Sequence, residues 1–213
     1  KIIYTSEITR KIISNHNPKL KNKIYYISRS YYTEVRKNLS FKRDYYRIIY
    51  TGTLYQERHF EFFLEAIDIY NLYSNKKKIK VEFYGNYLPS VSQKIELFRC
   101  AKAYNSIDFD EIQKLYSASD GLLFISNHHS SAQIPGKIFD YMGTELPVIC
   151  LVNNYEDDLF KMLTSLSKCI VIKNDKIEIL NKMPLIIEKL KNISPINTDF
   201  SPTSIANEIL KVL

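Results

Sequence analysis

The sequence predicts an α/β fold, a parallel β-sheet with helices on both faces. Three observations carry this. Strand-like and helix-like patterns alternate from Arg47 to about Leu190. Two of the strand-like runs, GLLFI (121–125) and VICLV (148–152), are apolar throughout, as strands covered on both faces are. The segment 59–73 places Phe60, Phe63, Leu64, Ile67 and Tyr70 at the spacing of a single helix face.

In chain order, KIIYTSEITRKII (1–13) reads as a short strand and a helix, with Ser6 as N-cap. NHNPKLKNK reads as a loop, KIYYIS (23–28) as a strand, and the polar stretch up to Tyr45 as an irregular linker. RIIYTG (47–52) is a buried strand ending in glycine, followed by the helix 59–73. IKVEFYG (79–85) alternates and again ends in glycine. Pro89 opens a short helix, and a strand is expected near 97–101. Asp108 or Asp110 caps the helix FDEIQKLYSAS before the strand at 121–125. After the strand at 148–152 come a helix (156–166), the strand KCIVIK (168–173) and a helix disturbed at Pro184. Ser201-Pro202 opens the final helix.

The chain has 213 residues, 45% hydrophobic and 25% charged, an ordinary globular composition. It starts at Lys1 without Met, so a piece of a longer protein is expected. Neither a signal peptide nor a spanning apolar run is visible, which leads us to expect a cytoplasmic protein. Cys100, Cys150 and Cys169 form no CxxC; Cys150 and Cys169 fall in apolar runs and read as core thiols, so no structural metal site is expected. The net charge of +7 fits a solvated lysine-rich surface, or attraction to anionic substrates or a membrane surface. Nucleic acid is the poorest fit, because the basic residues are scattered and not interleaved with aromatics along one helix.

Two loops follow predicted strands and could carry chemistry. In TGTLYQER (51–58), Gly52 lets backbone approach a ligand, with Thr53 beside it, and Arg58 at the next helix entry can fork-bind a phosphate. Alone, this loop reads more simply as a turn glycine and a solvated arginine. In SSAQIPGK (130–137), the amides before a helix, Gly136 and Lys137 together suit an anion, and Asp140 lies one turn on. A surface ion pair between Lys137 and Asp140 is the plainer alternative. In a parallel sheet both loops belong to the carboxyl-end crevice. His128 and His129 read as loop histidines without a metal, since adjacent side chains diverge and no acidic or thiol cluster accompanies them. Neither GxGxxG, a P-loop nor GxSxG is present.

Four stretches in this order, IIYTGTLYQERHFEFFLEAI, VEFYGN, IQKLYSASDGLLFIS and IPGKIFDYMGTELPVI, resemble the donor-binding half of GT-B fold glycosyltransferases of the family 4 (group 1) type. The resemblance implies a Rossmann-like domain at 46–213, preceded at 1–45 by a remnant of the acceptor domain and the interdomain linker. It implies that Gly52, Thr53, Arg58, Ile134, Gly136 and Lys137 bind the donor diphosphate. Asp140 stands where the family has a Glu for ribose hydroxyls. Ser130, Ser131 and Ala132 come near the transferred sugar, and residues 103–106 near the base. Ala132 occupies the place of the first of two family glutamates, so no catalytic carboxylate carries over to this loop. The implied reaction moves a sugar from a UDP- or GDP-linked donor to a cell-surface polysaccharide or lipid-linked acceptor, with no cofactor. The implied partners are the nucleotide-sugar, an N-terminal acceptor domain absent from this chain, and the inner membrane surface as a peripheral contact. A nucleotide-sugar 2-epimerase-like domain and a non-catalytic, degenerate donor-binding module are the alternatives.

Overall fold

A computed structural model describes residues 1–54, 58–127, 134–156 and 158–213. The chain forms two compact units. One comprises 1–34, 130–143 and 196–213; the other comprises 35–129 and 144–195.

In the first unit, strands β1 (Ile2–Tyr4) and β2 (Ile24–Tyr26) pair in parallel. Helix α1 (Glu7–His16) lies between them in the chain, and the Ser6 hydroxyl caps it by accepting from the Thr9 amide. The expected loop after it contains a 3-10 helix, Pro18–Lys23, with proline at its first position.

The second unit holds a parallel sheet of six strands in the order β5-β4-β3-β6-β7-β8. These are β3 (Tyr45–Thr51), β4 (Lys78–Tyr84), β5 (Ala101–Tyr104), β6 (Gly121–Ile125), β7 (Val148–Val152) and β8 (Cys169–Lys173). The chain builds outward from β3 to β5, then returns to β3 and builds the other way. The switch point of the sheet therefore lies between β3 and β6. One core layer joins Ile48, Val81, Leu123 and Ile149 to α2 (Glu61–Tyr73), α3 (Pro89–Glu96) and α7 (Lys176–Lys191). By strand alternation, Leu122, Phe124, Val148 and Cys150 lie on the opposite face and are equally buried. This is why β6 and β7 are apolar without interruption. On that face the Tyr116 hydroxyl of α4 (Phe109–Ser117) meets Thr51 Oγ1 at 2.6 Å.

The strand expected near 97–101 lies further on, at β5. Leu97 is apolar in sequence yet 79% exposed, in the turn after α3. What places the strand is the Asp68 carboxylate of α2, which accepts from the Cys100 and Arg99 amides at 2.9 and 3.1 Å. The expected disturbance at Pro184 does not break α7. Pro184 is on the exposed side, so the carbonyl it leaves unbonded can face water. Of the thiols, Cys150 is fully buried and Cys169 half-buried, so Cys169 is less of a core residue than its apolar run suggests. No helix among the described residues is long and apolar enough to cross a membrane.

Two positions give tests of this packing. A Cβ on Gly85 would stand 2.1 Å from the Gly52 carbonyl oxygen, a backbone atom without freedom to retreat. Gly85→Ala is expected to destabilise the protein by ~3 kcal/mol in denaturant unfolding. A variant as stable as wild type would mean that the β3 and β4 ends do not touch.

Lys168 is 3% exposed and donates to the Thr144 carbonyl. Burial lowers its ammonium from 10.5 to about 8, while Cys169 and Glu145 act in the opposite sense. The unfolded chain therefore holds this proton more tightly, and its contribution to stability rises with pH between those two values and is level below the lower one. Relative to Lys168→Met, wild type should gain on the order of 3 kcal/mol across that window. Parallel profiles for the two proteins would refute it.

Candidate functional site

Strands β3 and β6 pair at only two positions, Ile48 with Gly121 and Ile49 with Leu122. Both strands continue beyond these pairs, so their carboxyl ends part and leave a crevice at the switch point. Gly52 follows β3 with φ of 100°, a conformation that side chains resist, and its amide donates to the Tyr84 carbonyl at 2.8 Å. Bare backbone is thereby held at the crevice rim. The Leu54 amide is tied to the Asn86 carbonyl at 3.3 Å.

Arg58 is 7% exposed. This removes the solvated-arginine reading of its loop. Its Nη1 donates to the Tyr50 hydroxyl at 2.8 Å and to the Thr53 carbonyl at 2.9 Å, and its Nε donates to Asn127 Oδ1 at 2.9 Å. The Tyr50 hydroxyl donates in turn to the Thr53 carbonyl at 3.0 Å. Arg58 thus connects the end of β3, the loop after it and the end of β6. The Asn127 carbonyl accepts from Asn153 Nδ2 at 2.6 Å, which extends the connection to the end of β7. Next to Asn127, the Ser126 hydroxyl is buried and has no hydrogen-bond partner among the described residues. A buried hydroxyl in that state is poised to bond a ligand or a water. Ser126, Asn127 and Asn153 did not emerge from the sequence. Their signal is small polar residues directly after apolar strands at a switch point.

The second predicted loop is described from Ile134 and belongs to the other unit. Its turn is closed by the Ile138 and Phe139 amides, which donate to the Pro135 and Gly136 carbonyls at 3.2 and 3.0 Å. Helix α5 (Lys137–Met142) buries Ile138, Phe139, Tyr141 and Met142, with Phe139 against Phe200. Lys137 and Asp140 are left half-buried. Burial raises the Asp140 carboxyl above its ordinary value, and the Tyr32 amide and the Arg29 guanidinium counter this. Arg29 also reaches over Gly136, where a Cβ would stand 2.6 Å from its Nη1. Arg29 begins the segment that reads in sequence as a linker, and only the tertiary structure brings it to Gly136 and Asp140.

Gly52, Thr53 and Arg58 therefore lie together in one unit, and Ile134, Gly136, Lys137 and Asp140 in the other. The sugar-proximal residues Ser130, Ser131 and Ala132, like His128 and His129, lie outside the described residues. At the predicted base-side segment, Tyr104 stacks on Tyr84 with ring centres 4.6 Å apart and planes 8° from parallel. Asn105 and Ser106 follow as exposed residues.

No protein-family model and no curated protein matches the sequence. Solved structures do match the fold. A glycosyltransferase from Rickettsia africae ESF-5 has a TM-score of 0.72 at 14% identity, covering 100% of this chain and 62% of that one. TarM has a TM-score of 0.64 at 15% identity, over 99% of this chain and 42% of that one. The lipopolysaccharide outer core galactosyltransferase WaaB, in its apo form, has 0.63 at 9% identity, over 99% and 60%. The chain thus spans less than two thirds of each of these proteins. With a six-stranded parallel sheet flanked by helices and whole-chain likeness to these enzymes, it has the Rossmann-like α/β fold of the C-terminal half of GT-B glycosyltransferases.

Proposed function

We propose that the chain is the donor-binding part of a glycosyltransferase that moves a sugar from a UDP- or GDP-linked donor to a cell-surface polysaccharide or lipid-linked acceptor. The single observation that carries this reading is the open end of β3 and β6. There Gly52 presents backbone, Arg58 supplies a fixed cation and Ser126 offers a hydroxyl unpaired among the described residues.

In this reading the donor diphosphate lies against Gly52, Thr53 and Arg58. Lys137 and the amides of residues 134–137 take up donor diphosphate, and Asp140 accepts from ribose hydroxyls, as the resemblance implies. As the sugar departs, negative charge grows on the leaving nucleoside diphosphate. Fixed cations and amides aimed at it would stabilise that transition state without having to reorganise. Arg29, beside Gly136 and Asp140, adds a further positive group to that unit. An N-terminal acceptor domain completes the enzyme, and the protein meets the inner membrane surface peripherally from the cytoplasm.

Calorimetric titration with UDP, GDP and UDP-sugars tests the donor part. Binding is expected for one base series, and Lys137→Ala should weaken it about tenfold, the loss of one charge-assisted contact. Combined with Arg58→Ala, binding should vanish. Because Arg58 also holds Tyr50, Thr53 and Asn127 together, this double variant counts only if its circular dichroism and melting curve show a folded protein. A folded wild-type chain that binds none of these ligands at millimolar concentration would favour a non-catalytic module instead.

A further inference from the structure

We propose that the loop 36–43 docks the protein onto an anionic lipid bilayer, with Leu39 and Phe41 entering the headgroup boundary and the surrounding cations meeting the headgroups. This gives the membrane contact of the reading above a definite surface, and it does not require the donor chemistry to be right.

The loop is firmly rooted. Lys37 pairs with Asp120 at 2.9 Å, its amide donates to Glu145 Oε2 at 3.0 Å, and the Asn38 amide donates to the Ser117 carbonyl at 2.8 Å. Above the root, Asn38 Oδ1 accepts from the Ser40 amide and hydroxyl at 2.9 and 2.7 Å, which sets a tight turn. That turn holds two large apolar side chains in solvent: Leu39 is 66% exposed and Phe41 55%. Single exposed apolar residues are ordinary, but here two stand on one ordered tip framed by charge. Arg36 and Lys42 are exposed, and the Arg43 guanidinium lies 5.4 Å from the Phe41 ring centre. Where the chain enters β3, Lys80 Nζ lies 4.1 Å from the Tyr45 ring centre. Against these cations the segment carries one acid, Asp44.

The combination selects the occupant. An anionic bilayer presents negative headgroups above an apolar boundary, so it satisfies cations and apolar tip at once. Nucleic acid fits less well. Stacked bases need open ring faces, and both rings of this patch already carry the protein's own cations. An acidic protein surface would match the charge but leave Leu39 and Phe41 against polar groups.

The test is flotation of the full chain with phosphatidylcholine vesicles, with and without phosphatidylglycerol. Co-flotation is expected only with the anionic vesicles and should weaken in high salt. Leu39→Ser with Phe41→Ser should lower vesicle affinity about tenfold or more. Arg36→Gln, Lys42→Gln and Arg43→Gln together should lower it about a hundredfold. No flotation of the unmodified chain, equal flotation of both variants, or release from vesicles by a single-stranded oligonucleotide at equal charge would each overturn the proposal. Nucleotide titration of the same variants separates the two readings, because the loop and Gly52 stand at opposite ends of β3. Nucleotide binding without lipid binding would sink only the docking surface, and the reverse would sink only the donor reading.

Discussion

The carboxyl ends of β3 and β6 separate after two paired positions, and Arg58 spans the gap. Much else depends on this contact. A parallel sheet that changes direction needs its central strands to part at one end, and parted strands expose backbone that must be held. Arg58 does this with donors in a fixed planar fork, reaching Tyr50, Thr53 and Asn127 from one buried guanidinium. A lysine in its place would offer a point charge with no such geometry. The glycines at 52 and 85 belong to the same constraint. Gly52 takes a φ of 100°, and the chain there lies so close to the end of β4 that a Cβ on Gly85 would meet its carbonyl.

Elsewhere in the sheet the cations are held differently. Arg47 forms a two-point pair with Glu82, at 3.0 and 2.6 Å, and Tyr84 donates to the same carboxylate at 2.8 Å. Asp120 accepts from the Arg47 amide at 2.9 Å and also pairs with Lys37. Carboxylates thus meet Arg47 and Lys37, and a hydroxyl, a carbonyl and a side-chain amide oxygen meet Arg58. The Lys37–Asp120 pair roots the loop that carries Leu39 and Phe41.

How far the sequence could be read follows from the range of the forces involved. Strands β6 and β7 were legible because burial on both faces leaves an uninterrupted apolar run. Helix α2 was legible from its periodicity, and Ser6, Asp108 and Ser201 from cap chemistry that acts within three residues. β5 was misplaced because Leu97 is locally apolar, while the group that sets the strand, Asp68, lies about thirty residues earlier. In the candidate site, Gly52, Arg58, Lys137 and Asp140 stood out as residue types suited to an anion. Ser126 and Asn127 did not, since a small polar residue after a strand is commonplace until its hydroxyl is seen to be unpaired. Arg29 lies more than a hundred residues from Asp140, and no local pattern links them.

The Ser126 hydroxyl, unpaired among the described residues, has a consequence for how this protein can evolve. A buried oxygen without a partner weakens the folded state, and Ser126→Ala would relieve that weakness at little steric cost. Selection for robustness alone would therefore remove the hydroxyl. If the hydroxyl serves a ligand, the protein holds a locally suboptimal residue at the point where recognition is needed, and stability and function pull this one position in opposite directions.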